Sequence, residues 1–242
     1  MRRIFKTVVF VAILSALSMS VFAQTESRDD VLKQIEAKRA ELAALEKKFL
    51  APSAEDRASF GEFLAQPDTG LIRLLPREVF DKDSKLTIRG GGAYYSFNRL
   101  THAYGYGSDI ELQQGYLSVG FAGADYGMLA RVGDGPVDAI TLEHPSVRFL
   151  SAYNAATEEP QARLEQRRFG TGTTIEGMLV KERLPVETNA TYVLRSINYS
   201  ESDVLVAFKV IGKDLDGSVT LLWKLLKKYP KPELARTNQA AN

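Results

Sequence analysis

Beyond Gly70 nearly every apolar run in this chain is short, β-branched or aromatic, and bounded by Gly, Asp, Asn or Pro. Side chains of that kind fit a pleated, half-buried surface, and those boundary residues accept the dihedrals of tight turns. The pattern predicts strands at Leu71 to Leu75, Leu86 to Arg89, Ala93 to Asn98, Asp109 to Gln113, Tyr116 to Phe121, Tyr126 to Val132, Val137 to Leu142 and Val147 to Tyr153. Three more, Tyr192 to Ile197, Val204 to Ile211 and Val219 to Leu226, are separated by Ser200-Glu201-Ser202-Asp203 and Lys213-Asp214-Leu215-Asp216-Gly217, as in an antiparallel meander. Val204 to Ile211 is apolar at both parities, so it is expected to be an inner strand covered on both faces. The fold class that follows is β-rich (α+β): one antiparallel β-sandwich or barrel-like domain, residues 67–231, preceded by two N-terminal helices.

Two segments read both ways. Val219 to Tyr229 suits a strand returning from the Asp216-Gly217 turn, yet Leu221, Leu222, Leu225, Leu226 and Tyr229 would also line one side of a helix. Gln161 to Arg168 fits a short helix or a charged edge strand.

Arg2, Arg3 and Lys6 precede an uncharged stretch that ends in Val21-Phe22-Ala23, the three-part form of a secretory signal peptide. Residues 1–23 are therefore expected to be removed and the mature protein to start at Gln24, with no membrane span remaining. The chain has no cysteine, so an exported protein must hold together by burial alone. A bacterial envelope, periplasmic or secreted, is the expected location. The 31 basic and 30 acidic residues nearly cancel, which argues against nucleic acid as a partner.

From residue 24 to 51 the chain is free of Gly, and it places Val31, Ile35, Leu42, Leu45 and Phe49 at spacings of three, four and seven. This predicts an amphipathic, short coiled-coil-like helix over about 28–50, with Asp29 to Lys33 and Glu36 to Arg39 supporting its polar face. Lys38 interrupts the seam. The stripe can pack on the protein's own body or pair two copies into a homo-oligomer, and punctuation by Pro52 and Ser53 suggests an appendage whose removal leaves a folded body. A second helix spans 52–66 with Ser53 as its cap, and Pro67-Asp68-Thr69-Gly70 turns the chain, with Gly70 in the left-handed position. Residues 232–242 read as a disordered tail.

The search for chemistry is largely negative. Two histidines, His102 and His144, and no cysteine leave no His-rich metal cluster, no zinc-finger spacing, no thiol catalysis and no H-E-x-x-H. The glycine groups lack dinucleotide and phosphate-loop context, and Gly107-Ser108-Asp109 is not a nucleophile elbow. No cofactor, metal or catalytic residue is assigned.

What stands out is residues 90–127, which hold nine of the 18 glycines and six of the ten tyrosines. Tyrosine gives rigid amphipathic contact area and glycine lets a backbone approach a ligand closely, so Tyr104, Tyr106, His102 and Asp109 are the expected ligand-binding residues. The function expected is non-enzymatic binding or scaffolding of a protein, small molecule or glycan. The alternatives are a hydrolase in which His102, Asp109 and Asp125 converge in a cleft, and an outer-membrane-associated β protein, for which these strands are short.

Overall fold

A computed structural model of the chain describes residues 27–82, 84–102, 104, 105 and 107–235; residues 1–26 (which hold the expected signal peptide), Tyr106 and most of the expected tail lie outside them. In chain order come α1 (Arg28–Leu50), α2 (Ala54–Ser59), α3 (Gly61–Leu64), β1 (Thr69–Leu74), α4 (Arg77–Phe80), β2 (Tyr94–Tyr95), β3 (Ile110–Gln113), β4 (Tyr116–Ser118) and β5 (Tyr126–Gly133). Then follow α5 (Pro145–Ala152), α6 (Glu159–Thr171), β6 (Thr173–Ile175), β7 (Met178–Lys181), β8 (Arg183–Pro185), β9 (Thr191–Asn198), β10 (Ser202–Lys213) and β11 (Val219–Lys228). The chain divides into two compact units between Glu41 and Leu42.

In the first unit, the described turns of α1 begin at a cap in which Ser27 Oγ accepts from the Asp30 amide. Their ion pairs are Asp30 with Lys33 and Lys38 with Glu41, instead of the expected Asp29 with Lys33 and Glu36 with Arg39.

The second unit is built on two antiparallel sheets. Seven strands run in the order β1-β11-β10-β9-β5-β7-β6, and four in the order β2-β3-β4-β8. Tyr95, Phe97, Ile110, Leu112 and Leu117 of the small sheet and its connections share one core with Leu194, Val206, Phe208, Leu221 and Trp223 of the large sheet. The opposite face of the large sheet buries Met128, Val193, Leu205 and Ala207 against Phe63, Val147, Leu150 and Phe169 of the helices. The architecture is thus a sandwich with a helical layer outside it. β10 obeys the expectation for a doubly covered strand, since Val204, Val206, Phe208 and Val210 point to one core and Leu205 and Ala207 to the other.

Of the segment Val219 to Tyr229, Val219–Lys228 forms strand β11, paired on both sides by β1 and β10. Several other expectations are corrected. Val147 to Tyr153 is not a strand but helix α5: Pro145 occupies its first turn, the His144 side chain accepts from the Ser146 amide, and Val147 and Leu150 bury one face. Gln161 to Arg168, for which the sequence leaves helix and edge strand both open, takes the helical alternative and lies in α6, with Ala162 and Phe169 buried. Val137 to Leu142 holds only a 3₁₀ turn, Val137–Ala139, and Leu86 to Arg89 forms turns. The helix expected over 52–66 breaks at Phe60 into α2 and α3. In the turn before β1 it is Asp68, not Gly70, that has positive φ (58°). Gly70 is required for a different reason: a Cβ there would stand 2.5 Å from the Trp223 indole.

Candidate functional site

The residues singled out in the sequence occupy separate environments. His102 is largely buried; its Nε2–H donates to the Arg73 carbonyl at 2.8 Å, and its ring meets Tyr95 edge-on at 4.9 Å. Desolvation, opposed by the hydrogen bond to Arg73, lowers its pKa from the ordinary histidine value and favours the neutral imidazole. Tyr104 packs instead on Tyr94, 4.8 Å between centroids, with the Arg89 guanidinium 5.0 Å from its own ring. Successive strand residues point to opposite faces, so Tyr94 and Tyr95 carry Tyr104 and His102 to opposite sides of β2. Gly90 enables the first contact, because a Cβ there would come within 2.5 Å of the Tyr94 ring. Tyr106 lies outside the described residues.

Asp109 is fully buried and acts as a double acceptor. One carboxylate oxygen takes the Phe97 amide at 2.7 Å and the other the Asn198 side-chain amide at 2.8 Å. Burial pushes its carboxyl up to about 6, the hydrogen bonds opposing that shift. Asp125 likewise accepts from the Tyr199 amide at 2.8 Å, and desolvation raises it to about 6. These carboxylates tie down neighbouring residues at the end of β9, while the His102 Nε2 proton is committed to β1. Each of the three is thus engaged by a different partner: Arg73 for His102, Phe97 and Asn198 for Asp109, and Tyr199 for Asp125.

Exposed apolar surface concentrates elsewhere, around the last turns of α1. Glu46 and Leu50 anchor those turns: the buried Glu46 carboxylate accepts from the Thr87 amide and hydroxyl, and Leu50 packs with Leu75 and Phe80. With that side fixed, Leu42, Leu45 and Phe49 are left exposed, Leu45 to 59%. They line a groove of about 680 Å³ together with Leu86. At its other side Arg73 binds Asp214 through Nη2 at 2.6 Å and Nε at 3.0 Å.

A second groove, about 500 Å³, lies on the His102 side of the same turns and is lined by Leu50, Ile72, Ile88, Leu100 and His102 among others. Of the described residues expected to bind ligand, His102 is the one that lines these grooves. Leu42, Leu45 and Phe49 were visible in the sequence as an apolar stripe, whereas Leu100, Arg73 and Leu86 carry no local signal of a site. Among the described residues no group of His, Asp or Glu could hold a metal ion, and no helix is long and apolar enough to cross a membrane. Comparison with known proteins finds no matching family, no matching curated protein and no matching solved structure.

Proposed function

We propose that this chain is an exported, non-enzymatic binding or scaffolding protein whose contact surface is formed by the two grooves beside the last turns of α1. The observation that carries this reading is the exposure of Leu42, Leu45, Phe49 and Leu100 around turns that Glu46 and Leu50 already hold in place. Apolar side chains gathered over a preformed concavity mark a recognition surface more often than a solvated face. The committed hydrogen bonds of His102 and Asp109 weigh against the hydrolase alternative.

Titration of the full chain with the neutral apolar dye Nile red tests the surface. Saturable fluorescence enhancement is expected, and a Leu45→Glu, Leu100→Asp double variant should abolish it with its melting temperature unchanged. Dye binding that survives this variant would refute the reading. Export is tested by the intact mass of the secreted protein, which should begin at Gln24.

A second reading, self-association through residues 28–50, is favoured by one observation: Val31, Ile35, Leu42, Leu45 and Phe49 are all exposed along α1. Sedimentation of the full chain against a Leu42→Glu variant decides it, a dimer being expected only for the former.

A further inference from the structure

Seven non-glycine residues among those described have positive φ, and Leu100 (φ 57°) is the one with an apolar side chain. The turn that holds it is tight: the Leu100 amide donates to the Ser96 carbonyl at 2.8 Å, and Ser96 pairs with Thr101. Left-handed backbone suits Gly or Asn, and a branched apolar side chain is unfavourable there. Leucine nevertheless occupies the position, 60% exposed, with its side chain at the 500 Å³ groove. Strain of this kind, kept where it presents an apolar side chain to a cavity, points to a binding role. The volume falls within the roughly 300–1,000 Å³ range of small-molecule pockets.

The charges around the groove select the ligand. Leu50, Leu71, Ile72, Ile88 and Leu100 supply an apolar wall, and the charged lining residues are Glu46, Lys47 and Arg57. Glu46 is buried and spends its carboxylate on Thr87. Lys47 and Arg57 are exposed, and among the described residues neither forms an ion pair. An arginine or lysine beside an apolar cavity offers a carboxylate a hydrogen bond strengthened by charge on both sides, whereas a neutral head gains only a weaker hydrogen bond and a cationic head is repelled.

Building on the binding reading above, we infer that this groove takes the hydrocarbon chain of a single-chain anionic amphiphile, a long-chain carboxylate, with Lys47 and Arg57 holding its head group.

Calorimetric titration of the full chain with dodecanoate, dodecylammonium and dodecyl maltoside, each below its micellar concentration, provides the test. Dodecanoate should bind at least tenfold more tightly than dodecylammonium. The Lys47→Gln, Arg57→Gln double variant should lose at least fivefold of the dodecanoate affinity and none of the dodecyl maltoside affinity. Leu100→Gly should weaken dodecanoate while melting no lower than the unchanged protein, because glycine relieves the turn. Equal affinity for the three amphiphiles, or dodecanoate binding indifferent to these variants, would overturn the inference and leave the broader reading standing if Nile red still binds. Failure of Nile red to bind as well would remove both.

Discussion

Arg195 and Asp203 meet across β9 and β10 in a two-pronged ion pair, Nε to Oδ1 and Nη2 to Oδ2 both at 2.8 Å, with the arginine 1% exposed. The remaining nitrogen, Nη1, donates to the carbonyls of Leu150 at 2.6 Å and Tyr153 at 2.7 Å, at the end of α5. The Tyr229 ring lies 3.5 Å from the guanidinium carbon. One side chain thus joins the large sheet, a helix end and the last strand's exit.

Arg195→Met is expected to cost about 3–5 kcal/mol, since it leaves Asp203 charged and buried without its partner. The two α5 carbonyls would lose their donor as well. A compensating Arg195→Met, Asp203→Leu double variant should recover much of the loss. Urea denaturation of the three proteins measures both effects, and a double variant as unstable as the single one would show that the carbonyl contacts dominate.

Gly70→Ala should destabilise the fold by about 1–3 kcal/mol through overpacking. The methyl group would enter the space of Trp223, which must move or force β1 away from β11. Trp223 is the only tryptophan, so its emission spectrum reports the displacement directly.

Asp125 makes stability depend on pH in a definite direction. Its carboxyl is raised by burial to about 6 in the fold against an ordinary 3.8, so between those values the native state binds more protons than the unfolded chain. Its contribution is therefore most favourable below about 4 and is lost as the pH rises through about 6. Asp125→Asn keeps an oxygen acceptor for the Tyr199 amide and removes the titration. Relative to the unchanged protein, this variant should gain on the order of 1 kcal/mol between pH 4 and pH 7, after allowance for partial solvent screening. Chemical denaturation at intervals across that range checks the slope, and parallel curves would count against it.

A chain beginning at Ser53, which the punctuation at Pro52 suggested would still fold, is expected to be less stable. Removal of α1 deletes Leu50 from its contact with Leu75 and Phe80 and takes the Glu46 acceptor from Thr87. Leu50→Ala alone should cost about 2–5 kcal/mol, the range for emptying a buried leucine site. Thermal unfolding followed by circular dichroism distinguishes this from a helix that merely hangs on the body.

Local sequence signals sufficed where they were strong and agreed with burial. β9 and β10 were legible because their apolar residues continue at both parities and their turn is marked by Ser and Asp, whereas β11 also fitted an amphipathic helix until its pairing with β1 and β10 decided it. Val147 to Tyr153 was misread because β-branched and aromatic content favoured a strand, while the His144-Pro145 start and the burial of Val147 and Leu150 against the sheet made it a helix. β6, β7 and β8 were missed because strands of three or four residues show too little periodicity.

The sequence by itself determined a β-rich antiparallel body, through apolar alternation and turn residues that act over a few positions, and left sandwich and barrel open until the packing of the two sheets decided for the sandwich. The apolar stripe of α1 was visible in the same way. Only the tertiary structure decided which of that helix's residues are buried, that Asp109 spends its carboxylate on Phe97 and Asn198, and that Leu100 stands on left-handed backbone beside Lys47 and Arg57. Asp109 and Asn198 are 89 positions apart, and Arg73 and Asp214 are 141. The free energy of a titratable or polar group depends on the partners that folding brings to it, and no local pattern encodes partners at such separations.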